Sequence, residues 1–121
     1  MNHKGYEIVV KGTPPSNNKY MGNSRSFNVY RRDKEEWHWK IKSAIRIKPP
    51  MPIAKAVVNI KYYFKTKGRR DPDNFSGKLI LDPLVREGIL EDDSFENVEL
   101  HLSADIDRMH PRTVITITER S

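Results

Sequence analysis

The chain has 121 residues, enough for one domain over residues 1–121, and its 22 basic and 16 acidic side chains give a net charge of +6. It contains no cysteine, which excludes disulfides and thiolate metal sites. It has neither the run of roughly 20 apolar residues that spans a membrane nor the apolar stretch of a signal peptide, so we expect a cytoplasmic protein without membrane contact.

The first half of the chain predicts two strands separated by a loop and a helix. The elements are a strand at residues 6–10, a loop at 12–20, a polar loop at 21–28, a helix at 30–48 and a strand at 54–64. Apolar residues from Trp37 to Ile45 recur at helical spacing, and Pro49 and Pro50 end the helix. We expect at least one of Trp37 and Trp39 to lie in the core.

The second half predicts a second helix and two more strands. The elements are a charged turn at residues 65–74, a helix at 74–87, an acidic turn at 91–96 and strands at 98–102 and 113–118. Asp73 suits the helix N-cap and Gly88 its C-terminal stop, whereas Pro83 should kink or split it. The order strand-helix-strand-helix-strand-strand predicts an α+β domain, with a mixed sheet of about four strands and two helices on one face.

Basic and acidic side chains are unevenly distributed along the chain. Residues 1–70 hold 17 basic and 4 acidic side chains, and residues 71–121 hold 5 basic and 12 acidic ones. A protein that only coats DNA gains nothing from clustered acids, because phosphates repel them. A nuclease needs both a basic surface for the DNA backbone and a local acidic site that a divalent cation neutralises. From charge alone, an ordinary polarised surface is an equal alternative.

Two acidic segments flank the second predicted helix. Asp71 and Asp73 lie on either side of Pro72 before the helix, and the acidic residues 91–93 follow it. Hard cations such as Mg²⁺ bind through carboxylates, water and substrate oxygens. A helix between two turns can bring the turns together at the edge of a sheet, where three carboxylates would share an ion that activates water. Taken alone, Asp71 or Asp73 is more often a turn or helix-cap residue than a metal ligand, and Asp92 and Asp93 are more often part of a solvated loop.

Basic residues surround this candidate site. They are Lys65, Lys67, Arg69, Arg70 and Lys78. Guanidinium groups make bidentate contacts with phosphate, and Lys78 could offset the charge of a transition state. An ordinary exposed helix lysine explains Lys78 better when the residues are considered alone. The four histidines show no metal-ligand spacing.

Four segments in order resemble the RusA family of Holliday junction resolvases, found in prophages. The segments are residues 14–18 (PPSNN), 69–74 (RRDPDN), 91–94 (EDDS) and 113–119 (TVITITE). Together they span most of the chain. The resemblance implies that Asp71, Asp73 and Asp93 are the catalytic, metal-binding residues, with Asp93 preferred to Asp92. It also implies functional roles for the residues at the family's arginine, asparagine and lysine positions, which are Arg70, Asn74 and Lys78.

The resemblance further implies a magnesium-dependent endodeoxyribonuclease, with Mn²⁺ as a substitute ion and no organic cofactor. A homodimer with two active sites would match the two-fold symmetry of four-way junction DNA and resolve it by paired nicks. The family has two residues between its asparagine and lysine, whereas three separate Asn74 from Lys78. Because one extra residue turns a helix by about 100°, the helix should start later or bulge, or Lys78 should be displaced.

Three other functions fit the same residues. A catalytically silent DNA-binding protein would bind junctions without cutting them. A less specific metal-dependent nuclease would cut linear and branched DNA comparably. A regulatory protein that binds through its acidic half would show no salt-sensitive DNA binding.

Overall fold

The computed structural model describes residues 5–20 and 26–120, except for the side chains of Ser26 and Asp73. The strands are β1 (Gly5–Lys11), β2 (Ala56–Phe64), β3 (Val98–Ile106) and β4 (Arg112–Glu119), and the α-helices are α1 (Ser26–Ala44) and α2 (Lys78–Arg86). Two 3₁₀ turns lie at Asn17–Tyr20 and Pro72–Asn74. The predicted order of strands and helices is confirmed, and the 3₁₀ turns were not predicted.

A mixed four-stranded sheet forms the centre of the fold, as predicted, with the strand order β1-β4-β2-β3. β4 pairs antiparallel with β1 and with β2, whereas β2 and β3 are parallel. A parallel pair requires a crossover connection, and α2 lies in that connection. β1 and β3 are therefore the two edge strands.

Both helices cover the same face of the sheet. Alternate residues of β2 from Ala56 to Phe64 are buried, and the residues between them are exposed or half-buried. Trp37 of α1 and Leu84 of α2 belong to the core that these strand residues form. Because successive strand residues point to opposite faces, this burial places both helices on one side, as predicted. Trp39 is exposed.

α1 differs from the predicted helix at both ends. It begins at Ser26, within the segment predicted as loop, whose residues 21–25 lie outside the described residues. It ends at Ala44 instead of continuing to Lys48. Its last turn closes through the Ile45 N–H, which donates to the Ile41 carbonyl at 3.1 Å. The chain then leads to Ile53, whose N–H donates to the Ile89 carbonyl at 2.9 Å and so ties this segment to the chain after α2.

The second helix starts later than predicted, because Gly77 and not Asp73 is its N-cap. Gly77 has φ +86°, and a Cβ there would lie 2.9 Å from Cδ1 of Ile60. A glycine therefore lets the helix begin close against β2. The later start accommodates the extra residue between Asn74 and Lys78, which was one of the expected outcomes.

α2 ends at Arg86, and Gly88 lies just beyond its C-cap as the predicted C-terminal stop. Gly88 has φ +78°, and its N–H donates to the Val85 carbonyl at 3.1 Å. The Ile89 N–H donates to the Leu84 carbonyl at 2.9 Å, which completes a Schellman motif. Pro83 is fully buried and does not split the helix, which continues to Arg86. Within the described residues, no helix is long and apolar enough to cross a membrane.

Gly77 and Gly88 form a matched pair for testing this packing. Both have positive φ, but no heavy atom lies within 4 Å of a Cβ at Gly88. We expect Gly88→Ala to lower the free energy of unfolding by about 1–2 kcal/mol through backbone strain alone. Gly77→Ala should cost about 1–3 kcal/mol more, because its methyl group meets Ile60. Urea unfolding measures both, and equal losses would contradict the close approach of α2 to β2.

Candidate active site

Asp71 precedes the 3₁₀ turn that follows β2. Its backbone is extended (φ −100°, ψ 144°), and its carboxylate makes no capping hydrogen bond. Its side chain is 49% exposed, and within the described residues its one ion pair joins Oδ1 to Nε of Arg69 at 3.3 Å. A capping role therefore does not explain Asp71, and its carboxylate is open to a ligand from solvent.

Asp73 lies two residues further on, in the same 3₁₀ turn. The Asn74 N–H donates to the Asp71 carbonyl at 3.0 Å, and the Phe75 N–H donates to the Pro72 carbonyl at 3.1 Å. These bonds fix the backbone between the two aspartates as one tight turn. The predicted role of the Asp73 side chain falls outside the described part of the structure.

Asp93 lies in the acidic turn before β3, with an exposed side chain. The neighbouring Asp92 uses its Oδ1 to accept a hydrogen bond from the Asp93 N–H at 2.8 Å. The Ser94 hydroxyl donates to Oδ1 of Asn97 at 2.6 Å, and Asn97 Nδ2 donates to the Ala54 carbonyl at 2.7 Å. Asp92 thus serves the backbone of the turn, which favours Asp93 as the residue available to a ligand.

The two acidic segments lie at different levels of the edge strand β3. Asp71 lines a small cavity with Ser103 of β3. The acidic turn is bonded to the first residue of β3, because the Val98 N–H donates to the Ser94 carbonyl at 2.9 Å. Five residues of strand, about 17 Å, separate Ser103 from Val98. The described side chains, which leave out that of Asp73, contain no group of three His, Asp or Glu residues that could hold a metal ion. The expected convergence with Asp93 is not seen among them.

Arg70 shapes the loop that joins β2 to α2. Its Nη1 donates to the Thr66 carbonyl at 2.8 Å and the Gly68 carbonyl at 3.3 Å, and its Nη2 donates to Oγ1 of Thr66 at 3.2 Å. Its guanidinium carbon lies 4.1 Å from the centre of the Phe64 ring. These contacts occupy three of the five N–H groups of the guanidinium. Arg69, which is 89% exposed, is the more accessible of the two arginines.

The remaining predicted site residues belong to the same connection, residues 65–78. Lys65 and Lys67 follow β2 with exposed side chains, and Asn74 is half-buried at the end of the 3₁₀ turn. Lys78 is the first residue of α2, and its Nζ lies 4.9 Å from the centre of the Tyr30 ring. The connection thus gathers all the predicted site residues except Asp93.

A buried carboxylate that the sequence analysis did not identify holds the loop containing the PPSNN segment. Asp33 of α1 is 4% exposed, and its Oδ2 accepts hydrogen bonds from Lys19 Nζ at 2.9 Å and the Tyr20 hydroxyl at 2.8 Å. Burial alone would raise the pKa of Asp33, but these two hydrogen bonds hold it below its usual value. Asp33 precedes Trp37 and Ile41 by four and eight residues, so the helical period could have placed it on the buried face.

The PPSNN loop adjoins the loop that carries Asp71. Asn17 Nδ2 donates to the Ser76 hydroxyl oxygen at 3.2 Å. The Tyr20 and Tyr30 ring centres are 5.0 Å apart in an edge-to-face arrangement, and Nζ of Lys78 lies over the Tyr30 ring. Two segments far apart in the sequence therefore form one polar surface near the start of α2.

No family model matches the chain, and no curated protein sequence is significantly similar to it. The resemblance described above therefore depends on its four short segments, of which the PPSNN and RRDPDN segments adjoin in space.

Asp33 offers a test of how this surface is held. We expect Asp33→Asn to reduce the free energy of unfolding at pH 7 by about 1.5–3 kcal/mol, because it removes charge-assisted hydrogen bonds. The folded-state pKa of Asp33 lies below its usual 3.8, so its contribution is complete above pH 3.8. It is lost as the pH falls through the folded-state value. Urea unfolding at several pH values measures the difference.

Glu35 provides the matched control on the same helix. Its side chain is 59% exposed and lies 4.0 Å from Arg86, so Glu35→Gln should cost about 0–1 kcal/mol. Equal losses for the two substitutions, or a loss for Asp33→Asn that persists unchanged at pH 2, would contradict the role assigned to Asp33.

Proposed function

We propose that the protein is a magnesium-dependent DNA endonuclease that acts as a cytoplasmic homodimer and resolves four-way junctions by paired nicks. One observation supports the proposal above all others. Asp71 holds an uncapped, half-exposed carboxylate in a tight turn it shares with Asp73, beside the exposed Arg69. A structural role in the turn leaves that arrangement unexplained, whereas a site for a cation and a phosphate requires it.

The donor set fits a hard divalent cation. The carboxylate oxygens of Asp71 and Asp73 are the type of ligand that Mg²⁺ takes, and the open position of Asp71 leaves room for water and substrate oxygens. When bound, the ion supplies Lewis-acid polarisation of the phosphodiester and activation of water. Mn²⁺ is the expected substitute, and the proposal includes no organic cofactor.

The distribution of cations supports nucleic acid as the substrate. Arg69, Lys65 and Lys67 are exposed on the loop that carries Asp71, and Arg31 and Arg32 are exposed on α1. These side chains suit phosphates of the DNA backbone, whose binding releases counterions. Junction binding should therefore weaken steeply as the salt concentration rises.

Arg70, Asn74 and Lys78 take secondary parts in this proposal. Arg70 keeps the loop in shape through Thr66 and Gly68, so it acts on the position of Asp71 more than on phosphate. Lys78 begins α2 one turn after Asn74 and remains exposed, so its ammonium group is accessible to a phosphate held at Asp71.

A DNA-binding protein without cleavage is the second candidate. It is favoured by the separation of the Asp71 loop and the Asp93 turn along β3, because a site with only two carboxylates holds an ion less firmly. In the proposed homodimer, the Asp93 turn of one chain would supply the third carboxylate to the site at Asp71 of the other chain.

Cleavage of a synthetic four-way junction tests the proposal directly. With Mg²⁺ or Mn²⁺ we expect paired symmetric nicks, and with EDTA none. Asp71→Asn should lower the cleavage rate on the order of 100-fold or more. Glu96→Gln, which removes an exposed acid from the same acidic turn as Asp93, should cut normally. Equal cutting of linear duplex would indicate a less specific nuclease. Binding without cutting would indicate the silent binder, and absence of salt-sensitive binding would indicate a regulatory protein.

Mixed dimers show which chain supplies Asp93. If each site joins Asp71 of one chain to Asp93 of the other, a dimer of one Asp71→Asn chain and one Asp93→Asn chain keeps one intact site. It should then nick one strand of the junction, although both parent dimers are inactive. If each site uses a single chain, the mixed dimer is inactive as well. Activity of Asp93→Asn homodimers equal to wild type would remove Asp93 from the site.

A further inference from the structure

A small cavity of about 100 Å³ lies beside Asp71, between the β2–α2 loop and the edge strand β3. Its base is aromatic, formed by Tyr62, Phe64 and Phe75. Asp71 and Ser103 also line the cavity. A cavity lined by rings next to a candidate phosphate site is the combination that single-stranded nucleic acid binds, through its bases and its backbone respectively.

The aromatic side chains hold one another in place. The Phe64 and Phe75 ring centres are 5.0 Å apart with an interplanar angle of 72°, and the Tyr62 and Phe75 ring centres are 5.9 Å apart at 60°. The Arg70 guanidinium carbon lies over the Phe64 ring, 4.1 Å from its centre. Such edge-to-face contacts fix the shape of the cavity before any ligand arrives, which lowers the entropy cost of binding a flat ring.

The hydroxyl of Tyr62 is buried and is not presented to the cavity. Tyr62 is 2% exposed, and its hydroxyl oxygen is inaccessible to solvent. Burial raises the pKa of Tyr62, and a hydrogen bond with the Gly77 backbone lowers it by less. Tyr62 therefore contributes ring surface to the cavity, and polar contacts with a ligand fall to the neighbouring strand β3.

We propose that this cavity accepts one unstacked, single-ring base of a DNA strand whose phosphate lies at Asp71. Its volume is smaller than the cavity of about 150 Å³ that encloses benzene in another protein, so it suits a pyrimidine inserted part-way and not a purine. The polar edge of the base reaches the backbone of β3, which is an edge strand with unpaired groups on its outer side. The placement beside a cleaved phosphate rests on the proposed nuclease function, but the capture of the base does not.

Ala104 allows the cavity to be closed without removing a core side chain. It lines the cavity on β3, and its side chain is exposed. Ala104→Leu adds three carbons to the cavity, and Ala54→Leu makes the same change at an exposed alanine elsewhere. Circular dichroism and thermal unfolding establish that both variants fold as the wild type does.

Binding is measured with pentanucleotides of thymidine and of deoxyadenosine and with a pentamer abasic at its central position, in EDTA. The methyl groups of Leu102, which lines the cavity, report occupancy by NMR. We expect the thymidine pentamer to bind about tenfold more tightly than the abasic one and to shift Leu102. The deoxyadenosine pentamer should behave like the abasic one. Ala104→Leu should abolish the preference, and Ala54→Leu should retain it.

Equal binding of the thymidine and abasic strands, or an unchanged preference in Ala104→Leu, would overturn the proposal. Four-way junctions that carry each of these bases next to the cleavage site then test the base site and the nuclease function separately. Metal-dependent cutting whose base preference survives in Ala104→Leu overturns the base site alone. Thymidine-dependent shifts of Leu102 without cutting of any DNA keep the base site and overturn the nuclease function.

Discussion

The parallel pairing of β2 with β3 determines where every candidate residue lies. Ala56 is level with Val98 and Phe64 is level with Ile106, so the connection between the strands must return along their full length of about 26 Å. α2 has nine residues and covers about 14 Å of that distance. Irregular chain at each end of α2 must cover the rest, and those two stretches carry Asp71 and Asp93. The irregular segments in which these two acids lie are thus a consequence of a crossover helix shorter than the strands it joins.

The same constraint explains why glycine and buried charge occur where they do. Because α2 begins near the middle of the sheet, its first turn approaches β2 closely, and only a residue without a Cβ fits at Gly77. Beside that turn, the PPSNN loop is tied to α1 by Asp33, whose charge lies on the core side of the helix. A buried ion pair adds little net stability, but it fixes one arrangement of the groups around it. The buried carboxylate of Asp33 therefore fixes the position of the PPSNN loop, and with it the shape of the polar surface near Asp71.

The parts of the fold that follow a local period were predictable from sequence, and those that depend on distant contacts were not. The strands and the core face of α1 follow alternation or helical spacing that each segment carries in itself. The sequence left a later start of α2 as one of three outcomes, because the choice depends on the contact between Gly77 and Ile60, which no local pattern encodes. In the site, the spacing of Asp71 and Asp73 showed a shared turn. The level of Asp93 depends on the register of β3, and the aromatic cavity depends on Phe75 folding back onto Phe64.

The strand order has a consequence for the way this chain is made. β1 is synthesised before the other three strands, but its sheet partner is β4, so that Ile8 pairs only once Ile115 has been added. β4 is also the strand that joins β1 to β2, and without it β1 has no neighbour in the sheet. Non-local pairing of this kind slows folding and prolongs the exposure of apolar surface and unpaired strand edges. The sheet therefore cannot be completed strand by strand in chain order, because β1 stays unpaired until β4 is available.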